Sequence, residues 1–149
     1  MASNVINRKT IRAKWGELLD AVTTIPVYAY QKGNFAGLSP VFRVLVLDSR
    51  RERAAMGVTD ATNADIHVIF ELFVARADAS KSWSESDVDD KLDDMEKIVS
   101  DLIIDNVEVD GFWNYAEQAG ESVITPFQDL GGNPYIREII SVLTKVQHG

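Results

Sequence analysis

Apolar residues recur at Ile11, Trp15, Leu18, Leu19 and Val22, a spacing that gathers them into one stripe of an amphipathic helix. Asn7 or Thr10 stands where a side chain can cap its start. Arg8, Lys9, Arg12 and Lys14 crowd the first turns, the wrong end for the helix dipole, and are expected to be solvated. Thr23, Thr24 and Pro26 end the helix. Residues 25–30 are short, aromatic and β-branched and predict an edge-compatible strand with Pro26 at its start. Residues 31–40, punctuated by Gly33, Gly37 and Pro40, predict a loop. Residues 41–47 predict a strand in which Arg43 is the only charge. Residues 64–77 are apolar almost without break, which predicts a central strand covered on both sides. Glu71 interrupts that run and is expected to face solvent or a neighbouring subunit. The stretch between these strands, residues 48–63, is too long for a tight hairpin loop. It predicts a projecting β-arm or two extended strand ends with a distal turn, the arm being favoured.

The second helix is plainer. Val88, Leu92, Met95, Val99, Leu102 and Ile103 form its buried stripe, and Asp87, Asp89 and Asp90 fill the first turn, where carboxylates suit the dipole. Ser84 or Ser86 is the expected cap, and the helix should end near Asp105. Residues 107–120 are ambiguous, with Phe112, Trp113 and Tyr115 placed to cover a core edge. Residues 121–128 predict a strand, and Asp129-Leu-Gly-Gly-Asn-Pro134 a turn. Residues 135–146 fit a helix by spacing and a strand by their Ile, Val and Thr content, so pattern alone leaves the two open. The fold class that follows is α+β: an antiparallel or mixed sheet of about five strands, two helices packed on one face, and a projecting β-arm. At 149 residues the chain is expected to be a single domain.

Composition changes this picture little, and charge changes it more. With 46% apolar and 26% charged residues the chain has enough hydrophobic surface to fold. No apolar run approaches the roughly 20 residues that span a bilayer, and residues 1–4 carry no sign of a secretory signal. No membrane partner is therefore expected. The net charge is −8, and residues 78–110 alone hold twelve acids against three bases. Such a surface repels polyanions or meets a basic partner, and tight binding of duplex DNA through its phosphates is not expected. Two small basic clusters remain, Arg8, Lys9, Arg12 and Lys14 near the start and Arg50, Arg51 and Arg53 mid-chain.

Chemistry-bearing motifs are scarce. Absence of cysteine removes disulfide scaffolds, thiolate zinc sites and thiol catalysis, and fits a cytosolic product. The only histidines, His67 and His148, are not spaced for a metal, and a triad would have to use His67 or a tail residue. There is no phosphate loop, dinucleotide fingerprint or nucleophile elbow. Asp89, Asp90, Asp93 and Asp94 share one helix face, which could attract a divalent cation. Cation sites commonly add loop carbonyls, so a solvated acidic face is the plainer expectation. His67 is expected to be a core or interface residue, and Trp15, Trp83 and Trp113 packing anchors. No catalytic residue, cofactor or metal is expected.

The order of elements resembles the tail terminator (tail completion, neck) proteins of long-tailed bacteriophages. The resemblance spans nearly the whole chain in element order. Its more specific pieces are the loop of residues 32–40 feeding a hydrophobic strand and the Gly131-Gly-Asn-Pro-Tyr135 turn before the last element. It implies that residues 135–146 are a strand. It also implies a non-enzymatic virion protein, made in the bacterial host cytoplasm, that forms a homohexameric ring at the tail–neck junction. Such a ring caps the tail tube protein, joins the head-neck connector or stopper protein, and lets DNA pass without specific binding. On this view Asp89, Asp90, Asp93 and Asp94 are candidates for an acidic channel or solvent face. Arg50, Arg51 and Arg53 are candidates for gripping the tube or the next subunit, and Tyr28, Tyr30 and Phe35 for other contact patches. A head-completion or stopper ring, a tail tube subunit, and a small α+β ligand- or metal-binding protein are the alternatives.

Overall fold

The structure, a computed structural model, describes residues 7–53, 62–76 and 85–148. Helix α1, Arg8–Asp20, starts where the Asn7 side chain accepts from the Thr10 backbone N–H at 2.9 Å. It buries Ile11, Trp15 and Leu19, whereas Val22, assigned to the same stripe, lies past its end and is 57% exposed. Gly16 is required by proximity: a Cβ there would sit 2.8 Å from the Ala29 Cβ.

Strand β1 is only Val27–Tyr28, shorter than the strand expected over residues 25–30, and it pairs parallel with the next strand. Strands β2, Val41–Arg53, and β3, Thr62–Ala75, pair antiparallel from Val41 opposite Phe73 to Arg53 opposite Thr62. The β2 register shifts between Val46 and Asp48, leaving Leu47 as an extra, exposed residue. Helix α2, Glu85–Asp105, follows the predicted stripe. Ser86 lies inside it and is not its cap, and Ser84 lies outside the described residues, as does Trp83. The ambiguous segment after α2 turns through a Val109–Trp113 bridge into strand β4, Tyr115–Gln118. Strand β5 is Val123–Gln128, and the undecided last segment is strand β6, Pro134–His148.

The sheet is mixed and has six strands, one more than expected. It runs β1-β2-β3-β6, with β4 and β5 both on the far edge of β6. β3 is its central strand, as the apolar run implied. At roughly 3.3 Å per residue the 14 residues of β3 extend about 45 Å. The residues assigned to the arm continue β2 and β3, so the extended strand ends are real to Arg53 and Thr62, and β6 accompanies them, with Thr62 opposite His148. Residues 54–61, where an arm tip would lie, are outside the described residues.

Strand alternation gives the sheet two unlike faces. Phe42 and Val44 of β2, Ile66, Val68, Phe70 and Leu72 of β3, and Ile140 and Val142 of β6 point one way, under both helices. Trp15 of α1 stacks on Trp113 at 4.4 Å and meets Phe70 edge-on at 5.5 Å, and its indole N–H donates to the Thr144 hydroxyl at 3.0 Å. Under α2, Glu138 of β6 is 4% exposed. Burial, and then the carboxylates of Glu96 and Asp93, push its carboxyl above the ordinary 4.5, against a hydrogen bond from the Ser122 hydroxyl. A raised carboxyl pKa leaves folding unpenalised below 4.5 and costs stability as pH rises through the raised value. Glu138→Gln is therefore expected to stabilise the fold at neutral pH by about 0.5–2 kcal/mol. The gain should vanish in melts recorded below pH 4.5.

Candidate functional site

Among the described residues the opposite face of the sheet is covered at one end only. There the loop of residues 31–40 and the turn of residues 129–133 fold over Val41, Phe73, Ala75 and Tyr135, with Phe35 as the plug. Asp129 ties loop to turn. Its carboxylate accepts from the Phe35 backbone N–H at 3.0 Å and the Asn133 N–H at 2.8 Å, and the Leu130 N–H donates to the Gly33 carbonyl. Burial alone would push the Asp129 carboxyl up, but the backbone hydrogen bonds from Asn133, Phe35 and Gly131 hold it below 3.8. Burial and the nearby Asp129 charge push the Tyr135 hydroxyl up to about 12, and it donates to the Leu38 carbonyl at 2.9 Å.

Beside this cluster lies a buried charge network that the sequence did not announce. Glu71 is 2% exposed and faces Arg43, its register partner on β2, which clasps it through Nε at 2.7 Å and Nη2 at 3.1 Å. Arg137 of β6 reaches the same carboxylate through Nη1 at 3.2 Å. The Arg43 Nη1 donates to the Lys32 carbonyl at 2.7 Å. Phe73 and Phe127 flank the Arg43 guanidinium at 5.1 and 5.8 Å, and Phe127 lies 4.9 Å from that of Arg137. Glu71 thus faces neither solvent nor an obligatory neighbour. Its run is apolar because β3 is central, and its charge is met by arginines on both flanking strands. Arg43 was the only charge of its predicted strand and Glu71 the one charge within the apolar middle of the next, whose ends carry Asp65 and Arg76, and that coincidence was the readable signal. Arg137, Thr125 and Asp129 left no signal of that kind.

Beyond this end no described residue covers the face. His67, half-buried, holds Asp48 at 2.6 Å through Nδ1 beside the β2 bulge, a partner nineteen positions away and invisible as a local motif. Leu47, Val123 and Tyr115 are exposed.

The predicted interface residues separate. Phe35 is fully buried, because it plugs the loop against Phe73 and Tyr135, so it is not a contact patch. Tyr28 is half-buried against it, and Tyr30 is 52% exposed. Arg50, Arg51 and Arg53 belong to β2, opposite Asp65, Ala64 and Thr62; their backbone pairing is described and their side chains lie outside the description. Asp89, Asp90, Asp93 and Asp94 are all exposed on the outer side of α2. Among the described residues no three His, Asp or Glu side chains gather to hold a metal ion, and no helix is long and apolar enough to cross a membrane. No family model matches the sequence, and no curated protein matches it.

Proposed function

We propose that this chain is a non-enzymatic virion subunit of a long-tailed bacteriophage. In this reading it forms a homohexameric ring that ends the tail tube, joins it to the head-neck connector, and passes DNA through its channel without binding it specifically. The observation that carries the reading is β6. The hydrophobic pattern of residues 135–146 fits helix and strand equally, the resemblance requires a strand, and the chain closes its sheet with a 15-residue strand running the length of β3. The net charge of −8 also supports it: an acidic ring would keep passing DNA from adhering. The extended β2–β3 ends give such a ring a rigid lever toward a neighbour, and six copies multiply weak contacts through effective concentration.

Labelling of virions with an antibody against this chain tests the location. Label confined to the tail–neck junction is expected; label along the whole tube marks a tube subunit, and virions without label refute the reading. The arm has its own test. Arg50→Glu with Arg51→Glu is expected to abolish docking to tails without changing the circular dichroism spectrum. Docking at the parental level would reject a role for these arginines.

A further inference from the structure

We propose that Arg137 and Thr125, on the open face of the sheet, form a socket that receives an aspartate carboxylate from the α2 helix of a second copy of this chain. The inference rests on the ring reading above and specifies which two surfaces of the subunit meet.

The socket begins with an imbalance. Two guanidinium groups share the one carboxylate of Glu71 beside phenylalanine rings, so neither has a carboxylate to itself. Arg43 takes the better share, with its side-on edge, Nε and Nη2, matched to both Glu71 oxygens. Arg137 has a single 3.2 Å bond through Nη1, and among the described residues its Nε finds no acceptor. Thr125, its register partner on β5, has a hydroxyl that is likewise buried without a partner. Buried donors of this kind are costly to leave unpaired. The Arg137 side chain is 25% exposed although its Nε is closed to solvent, so a group arriving from outside meets the exposed part of the side chain. What the place lacks is an acceptor with negative charge, and a carboxylate is the group whose two oxygens fit a guanidinium edge.

The same chain holds such groups where it cannot use them itself. Asp89, Asp90, Asp93 and Asp94 are exposed on α2, and among the described residues no lysine or arginine pairs with them. α2 packs through Val88, Leu92, Met95 and Val99 onto the face of the sheet opposite to Arg137. The sheet therefore stands between donor and acceptor in one molecule, and a second copy can join them. Contact between the back of one subunit and the front of the next is heterologous, the kind of interface that closes a ring by rotation. Val123, 52% exposed and two residues from Thr125 on the same face, adds apolar area beside the charge pair.

The chain has no cysteine, so introduced thiols are the only ones present. Val123→Cys, exposed and two residues from Thr125 on the same face, is combined in turn with Asp89→Cys, Asp90→Cys, Asp93→Cys or Asp94→Cys and oxidised under conditions where the parent assembles. At least one pair is expected to give a ladder of covalent oligomers beyond the dimer on a non-reducing gel, while the single-cysteine variants give none beyond the dimer. Arg137→Gln, with its fold checked by circular dichroism, is expected to assemble at least tenfold more weakly. A parent that forms rings while all four pairs fail to cross-link overturns the socket and leaves the ring standing. A folded Arg137→Gln that assembles like the parent overturns it too. A parent that stays monomeric at every concentration removes the ring reading, and the socket with it.

Discussion

Replacing Glu71 with alanine is expected to lower the unfolding free energy by about 3–5 kcal/mol, the range found when one partner of a buried ion pair is removed. The carboxylate accepts three charge-assisted hydrogen bonds, two from Arg43 and one from Arg137. Without it, two guanidinium groups face one another among Phe35, Phe73 and Phe127, and neither can lose its proton. At roughly 2–4 °C per kcal/mol for a chain of this size, the melting temperature should fall by roughly 10 °C. A second variant separates the cost of stranding charge from the value of the network. Arg43→Met, Glu71→Leu and Arg137→Met together replace the network with apolar volume. Such replacements are often neutral or stabilising by about 1–4 kcal/mol. If Glu71→Ala instead melts with the parent, water reaches the network and the covered end of this face is looser than its hydrogen bonds imply.

Trp15→Ala is expected to cost a similar amount, about 3–5 kcal/mol, for a different reason. The indole is wholly buried and joins three parts of the fold: it stacks on Trp113, meets Phe70 of β3 edge-on and donates to Thr144 of β6. Trp113 cannot collapse into the space, because its own indole N–H is held by the Asn106 carbonyl at 2.9 Å. Loss of transfer energy is thus joined by a persistent cavity and an unpartnered buried hydroxyl. Trp15→Phe should cost less, since it keeps most of the ring contact and loses the hydrogen bond. Urea denaturation followed by the remaining tryptophans measures both, and equal midpoints for Trp15→Ala and the parent would show that α1 is not anchored there.

These two sites also mark what could be read from the sequence. Trp15 sits on a regular stripe, and a period of 3.6 residues is enough to place it inside. The central position of β3 was equally legible, because an apolar run with both parities filled leaves no solvent face. The final strand was not, since Ile136, Ile139, Ile140 and Leu143 satisfy a helical spacing as well as they fill a strand. Pairing with β3 over the whole strand decided it, and that energy is non-local. Phe35 was misjudged because a loop aromatic reads as exposed, until Asp129, 94 positions away, binds its backbone N–H and folds it inward. The Glu71 network was hidden for the same reason. Single charges in apolar strands look like exceptions until the register brings them together.

In the function proposed for it, the chain works as a building part, by closed self-association. Electron microscopy of the purified protein tests it most directly. Class averages of closed rings with sixfold symmetry and an open centre that do not stack into long tubes are expected. Solitary particles at every concentration, holding a small molecule in an enclosed polar pocket, would contradict it.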